Sequence, residues 1–198
     1  MGWWSDAKAR ARQYDEIADV SAIARRYFAM NAFDGVVTII GVLAGAMVAG
    51  VTQPDVVVVT GLTTAMAMGI SGFTGAFLTE AAERERTLQR LERHTLRDQH
   101  DTRVGRAARF AVIVVTLVDG LSPMIAAAIV LVPFYLVALL PTIQVAYYGS
   151  LGIALAVLFA LGMFLGRISR QHVLLYGLKT TLAGLLAIGA SLALGAAH

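Results

Sequence analysis

The chain alternates long apolar runs with short polar blocks, and it lacks the three- to four-residue rhythm of a soluble amphipathic helix. Crossing about 30 Å of hydrocarbon takes about 20 helical residues, and five apolar windows reach that length. They cover approximately residues 32–52, 56–79, 110–133, 142–166 and 178–197. The pattern predicts an all-α integral membrane protein with five transmembrane helices.

Composition and motifs limit the classes of function that the chain can have. Of the 198 residues, 58% are hydrophobic and 15% are charged, whereas charged residues make up about 25% of a typical soluble domain. The absence of cysteine excludes disulfides and thiolate metal sites. No glycine-rich phosphate loop, G-x-S-x-G elbow or H-E-x-x-H pair occurs. We therefore predict a protein that is not an enzyme and has no permanently bound cofactor.

The basic residues predict the orientation. All sixteen Lys and Arg lie before residue 27, between Arg84 and Arg109, or between Arg167 and Lys179. With five spans these three blocks fall on one face, which the positive-inside rule makes cytoplasmic, together with the N-terminus. The net charge of +3 then reflects topology and attraction to anionic lipid. We expect a cell-membrane protein with lipid contacts and no nucleic-acid partner.

The chain divides into two predicted regions. Residues 1–30 form a cytoplasmic amphipathic segment, and residues 31–198 form the five-span membrane domain. Charges of both signs at helical spacing predict that the second span continues as a cytoplasmic helical extension over residues 80–108.

A weak internal repeat places two acids at equivalent positions. The segment "FDGVVTIIG" at 33–41 is echoed by "VDGLSPMIA" at 118–126. This predicts two parallel helical-hairpin repeats plus one added helix, with Asp34 and Asp119 well inside the apolar layer.

A carboxylate at that depth costs about 2.5–3.5 kcal/mol. Protonation, hydrogen bonds from neighbouring helices or a bound cation can offset this cost. A purely structural role in helix packing is the plain alternative, but two acids at equivalent positions favour an ion or proton path.

Further candidate ligands follow the second span. Met66 and Met68 cannot share a helix face, so one of them could face a path, where a thioether beside a carboxylate favours a transition metal. Packing explains either methionine equally well. Glu80 and Glu83 share a face of the extension and could hold one metal, although the interleaved arginines also fit an ordinary solvated, ion-paired face.

Three segments carry a family resemblance: "ARRYFAMNAFDGVVTIIGVLAG", "AMAMGISGFTGAFLTEAAERE" and "VDGLSPMIAAAIVLVPF". They resemble spans one to three of the vacuolar iron transporter family. The resemblance implies a dimeric five-span protein that exports Fe²⁺ or a similar ion in exchange for protons. By position, Asp34 would be the acid of the ion path and Met68 its thioether.

The chain departs from the family pattern at three points. Thr60 and Gly72 stand where the family has glutamates, and the glutamate-rich cytoplasmic domain is reduced to the extension, where Glu80 and Glu83 remain. Asp119 is an additional acid that could compensate for the missing glutamates.

The expected function is therefore export of a divalent transition-metal ion, Fe²⁺ or Mn²⁺, by a homodimer. Its expected metal ligands are Asp34, Met68, Glu80, Glu83 and Asp119. Two alternatives stay open: a non-transporting membrane scaffold or sensor, and a transporter of another small cation.

Overall fold

A computed structural model describes residues 3–96 and 102–196, and every regular element in those residues is helical. The helices are α1 (Trp3–Ala18), α2 (Val20–Val48), α3 (Pro54–Thr95), α4 (Arg103–Val130), α5 (Val132–Tyr135), a 3₁₀ turn (Val137–Leu139), α6 (Ile143–Ile168) and α7 (Val173–Ala196). In this part of the chain α2, α3, α4, α6 and α7 are long and apolar enough to cross a membrane. The prediction of an all-α protein with five spans is confirmed.

Helices α2 and α3 extend furthest beyond the apolar windows that predicted them. Helix α2 begins at Val20 rather than near residue 32, and α3 continues to Thr95 rather than ending near residue 79. Hydropathy windows find the length that suits lipid, whereas good helix formers such as Arg and Glu prolong a helix into water. The division at residue 30 and the parallel repeat stay predictions. Residues 97–101 of the predicted extension lie outside the described residues.

Contacts along the chain define two units. Unit 1 contains residues 1–28 and 70–121, and unit 2 contains residues 29–69 and 122–198. Each unit has its own apolar core among the described residues.

In unit 1, α1 is fixed by an aromatic contact and by a side-chain cap. The Tyr14 and Phe110 rings have centroids 5.5 Å apart, beside a small core of Ala18, Val20, Ala107 and Ala111. Arg84 Nη2 donates a hydrogen bond of 3.3 Å to the Ala18 carbonyl. Because the last carbonyls of a helix have no partner within it, this bond caps the C-terminal end of α1 with a side chain of α3.

In unit 2, the core is built by buried aliphatic residues of α2, α3, α4 and α6. Its largest fully buried side chains include Ile39, Ile40 and Leu158. The Tyr147 hydroxyl donates a 2.9 Å hydrogen bond to the Val51 carbonyl, which lies in the connection between α2 and α3. This bond ties α6 to that connection.

Helices α6 and α7 pack closely because small residues line their contact. The Thr180 hydroxyl of α7 donates to the Leu158 carbonyl of α6 at 2.8 Å. A Cβ at Gly162 would overlap Thr180 Oγ1 and lie 2.5 Å from the Tyr176 carbonyl oxygen. Such close contact of small residues is a common way of packing membrane helices.

The Gly162 contact predicts that two alanine substitutions in the same helix differ greatly in their effect on thermal stability. Gly162→Ala should lower the thermal unfolding midpoint in detergent, because overpacking at a tight contact costs about 1–3 kcal/mol. Gly152→Ala is the matched control, because a Cβ at Gly152 meets nothing within 4 Å. Equal midpoints for the two variants would contradict the close packing of α6 and α7.

Candidate functional site

Asp119 is a buried carboxylate in the middle of α4, with 6% of its surface exposed. It belongs to unit 1, where it lies against Gly72 of α3. A Cβ at position 72 would lie 2.9 Å from Asp119 Oδ2 and 3.4 Å from the Asp119 carbonyl oxygen. Glycine at position 72 therefore makes room for the acid. The oxygen of Asp119 occupies space that any larger side chain at position 72 would need.

Glu80 is held from two sides. The Tyr27 hydroxyl, on the first turns of α2, donates a 3.4 Å hydrogen bond to Glu80 Oε1. Arg84 Nε lies 3.5 Å from Glu80 Oε2, and the two side chains are 19% and 12% exposed. This contact is an ion pair without hydrogen-bond geometry, because Arg84 Nε has no hydrogen-bond partner. Since Arg84 also caps α1, it links Glu80 to the C-terminal end of that helix.

Tyr27 connects the two acids electrostatically. Its hydroxyl bonds to Glu80 and lies within electrostatic range of Asp119, and the Arg26 guanidinium carbon lies 6.0 Å from the centre of its ring. We call Tyr27, Glu80 and Asp119 the acid cluster. Its oxygen atoms come from α2, α3 and α4. Carboxylate and phenol oxygens on three helices can hold a proton or contribute to the binding of a cation.

Thr116 adds a buried hydroxyl near this cluster in sequence. It lies three residues before Asp119 on α4, and is 2% exposed, so the two side chains share a helix face. Its Oγ1 atom is buried with no hydrogen-bond partner. A buried hydroxyl without a partner costs about 1–3 kcal/mol, and a water or an ion bound there would remove that cost.

Asp34 lies in a different environment, in unit 2. Its neighbour Gly35 is buried against Pro123 of α4, where a Cβ would lie 2.7 Å from Pro123 Cα. Successive helical residues point about 100° apart. Asp34 therefore turns away from this contact, and its side chain is exposed. The Asp-Gly pair places a glycine in a tight helix crossing and an acid on the outer surface of α2.

The two methionines of α3 differ in exposure. Met68 is half-buried, whereas Met66 is 51% exposed, as expected for residues about 200° apart on a helix. The nearby hydroxyls of Thr63 and Thr64 bond to carbonyls of their own helix. Both hydroxyls thus already donate hydrogen bonds within α3.

Glu83 and Glu80 are placed differently, although three residues separate them. Glu83 is exposed, whereas Glu80 is mostly buried and bonded to Tyr27. His94, in the same predicted extension, is also exposed. Within residues 3–96 and 102–196, no three His, Asp or Glu side chains are close enough to hold one metal ion.

The structure thus places two predicted ligands, Glu80 and Asp119, in unit 1. It adds three residues that sequence reasoning did not assign to a site: Tyr27, Thr116 and, as the space beside Asp119, Gly72. The spacing of three residues between Thr116 and Asp119 is a sequence signal that places both on one helix face. No sequence pattern connects Tyr27 with Glu80, which is 53 residues away.

Comparison with known proteins agrees with this architecture. The model described as the VIT family matches residues 26–115, a range that includes Asp34, Met68, Glu80 and Glu83. The chain is also 34% identical over 166 residues to the uncharacterized protein MJ0645 of Methanocaldococcus jannaschii, covering 82% of this chain and 83% of that protein. The chain belongs to the VIT family, and it is an integral, multi-pass membrane protein from a family of metal-ion transporters rather than enzymes.

Proposed function

We propose that the protein exports a divalent transition-metal ion, Fe²⁺ or Mn²⁺, from the cytosol in exchange for protons across the cell membrane. The observation that carries the proposal is Asp119, an acid buried in a membrane-spanning helix. Intramembrane acids typically mark ion or proton paths. The metal is the cargo, so the protein needs no resident cofactor.

The acid cluster supports exchange chemistry. A metal ion binds the ionised form of a carboxylate and competes with a proton for it. Glu80 and Asp119 supply two such groups from different helices, and Tyr27 supplies a hydroxyl that bonds to one of them. Arg84 is the basic group that contacts Glu80. In this proposal Glu80 and Asp119 receive the ion from the cytoplasm, and the exposed Glu83 attracts it.

Asp34 and Met68 form the second part of the proposed path. A carboxylate together with a thioether favours a transition metal over Mg²⁺ or Ca²⁺. The exposure of Asp34 in a single chain would leave a carboxylate facing lipid, which costs about 2.5–3.5 kcal/mol. A second copy of the chain that covers this face would remove the acid from lipid, and we therefore propose a homodimer.

The surface of α2 around Asp34 suits such a contact. Gly41 and Gly45 follow Asp34 by seven and eleven residues, so they lie on the same helix face. A Cβ at either glycine meets nothing within 4 Å. The G-x-x-x-G spacing allows two membrane helices to approach closely. A partner helix on this face would place the Asp34 residues of two copies near each other.

A scaffold or sensor without transport is the second candidate. It is favoured by the lack of a three-ligand group among the described residues. Thermal unfolding in detergent with a panel of divalent ions separates the two functions, because a ligand that binds the native state raises its stability. Stabilisation by Fe²⁺ or Mn²⁺ that is lost in Asp119→Asn supports transport, and no response to any ion supports the scaffold.

Metal flux into proteoliposomes tests the assigned acids. Asp119→Asn and Asp34→Asn should each slow Fe²⁺ or Mn²⁺ flux at least about tenfold, since an amide cannot bind the ion as a charged ligand, and tenfold corresponds to about 1.4 kcal/mol. Asp55→Asn is the control, because Asp55 is an exposed acid in the first turn of α3. Wild-type flux in both variants would remove these acids from the path.

Cysteine crosslinking tests the dimer, because the chain has no cysteine of its own. Gly45→Cys should give a disulfide-linked dimer on mild oxidation in membranes. Gly152→Cys should stay monomeric on a denaturing gel, although Gly152 of α6 is equally open to an added side chain. Crosslinking of Gly152→Cys alone would assign the contact to another face.

A further inference from the structure

The end of unit 2 at which α6 meets α7 carries an excess of positive charge. Its basic residues are Arg167 in the last turn of α6, Arg170 in the α6–α7 connection (residues 169–172) and Lys179 in α7, and all three are exposed. Residues 120–198 contain no Asp or Glu. Among the described residues, none of the three takes part in an ion pair. An anion from outside the chain can therefore meet this charge.

Lys179 is the only charged residue of α7 and lies inside its membrane-spanning segment. The segment begins at Val173, so Lys179 is about 9 Å beyond its start at 1.5 Å per residue. The Lys179 Nζ atom lies 5.3 Å from the centre of the Tyr176 ring, which is about one turn nearer to the start of the helix. The apolar stem thus carries the ammonium group towards the level of the lipid headgroups, as lysines near the ends of membrane helices do.

Arg170 occupies a backbone position that favours glycine. Its φ angle is +52°, a left-handed conformation in which the Cβ atom crowds the following carbonyl oxygen. The Gln171 N–H donates to the Gly166 carbonyl at 2.9 Å, which is the helix-ending turn that usually has glycine at this position. An arginine kept at a strained position points to a use for its side chain. A guanidinium group matches the oxygen atoms of a phosphate.

An apolar track continues from Lys179 into the membrane. Leu182 and Leu186 follow Lys179 by three and seven residues, so all three lie on one face of α7. The two leucines are 55% and 66% exposed. A molecule that meets the charge of Lys179 can therefore also lay an apolar chain along α7.

We propose that this surface binds one anionic phospholipid, such as phosphatidylglycerol. Its phosphate pairs with Lys179 and Arg170, Arg167 adds to the positive field, and one acyl chain lies on Leu182 and Leu186. A zwitterionic lipid would bring its own ammonium group towards three cations, whereas an anionic lipid brings no such charge. Binding of this lipid requires no transported ion.

Native mass spectrometry of the full-length protein in detergent tests the choice of lipid. The protein is titrated separately with phosphatidylglycerol and phosphatidylcholine of identical acyl chains. The wild type should bind the first phosphatidylglycerol at least about fivefold more tightly, the scale of one basic residue at an anionic membrane surface. Equal binding of the two lipids would overturn the proposal.

Charge-neutralising variants locate the site. Lys179→Gln should weaken phosphatidylglycerol about fivefold and leave phosphatidylcholine unchanged. Arg86→Gln is the matched control, because Arg86 is exposed, has no ion pair among the described residues and lies on α3. Equal losses in the two variants would show attraction by net charge alone and would overturn the site.

Arg170→Gly separates a structural role from lipid binding. Glycine relieves the left-handed strain, so the variant should keep or raise the thermal unfolding midpoint in lipid-free detergent. The same variant should bind phosphatidylglycerol less tightly than the wild type. Wild-type lipid affinity in Arg170→Gly would remove this residue from the site and overturn the proposed pairing.

Two further readouts distinguish the lipid from other occupants. Inorganic phosphate at the concentration of the lipid should not displace phosphatidylglycerol, because it cannot contact Leu182 and Leu186. Displacement would assign the surface to a soluble phosphate and overturn the lipid proposal. Lys179→Gln should keep the wild-type oligomer mass in the same spectra. A changed mass would show that a second copy of the chain covers this surface, and would also overturn the proposal.

Discussion

The cost of keeping a carboxylate in an apolar layer governs the structure of unit 1. A buried charge is stable only when hydrogen bonds, a cation or a proton meet it. Asp119 is placed where α3 has a glycine, so the acid lies against the backbone of a neighbouring helix. Tyr27 of α2 bonds to Glu80 of α3 in the same unit. Polar groups of α2, α3 and α4 thus lie in the same unit as the buried acid.

Unit 2 also has an acid within an apolar segment, but this acid lies in a different environment. There the glycine of the Asp-Gly pair takes the tight contact, against Pro123, and Asp34 is left on the outer surface. The two acids of the sequence repeat therefore have different environments in a single chain, one buried and one exposed. A buried acid can be satisfied within the chain, whereas an exposed one in lipid requires another molecule. This difference is the physical basis for proposing Asp119 as part of the chain's own site and Asp34 as part of a face between two copies.

Sequence reasoning reached the fold and part of the site. Apolar windows identify five spans because lipid exposure demands a fixed length of apolar residues, but they miss the start of α2 at Val20, since a helix can continue into water. Asp119 and Glu80 were identifiable because acids are rare near apolar runs. Gly72 was interpreted as a lost glutamate, and only the structure shows that its missing side chain leaves space for Asp119. Tyr27 could not be assigned, because its bond to Glu80 depends on tertiary packing.

The bond between the Tyr147 hydroxyl and the Val51 carbonyl has a consequence for the proposed transport. It fastens the connection between α2 and α3 to α6, and the edge-to-face contact of Tyr147 with Phe134, at 4.9 Å, holds the tyrosine ring in place. A movement that separates α6 from that connection must first break this hydrogen bond. In the proposed transport, release of the ion at that end of unit 2 either breaks this hydrogen bond or uses an exit that leaves α6 and the connection joined.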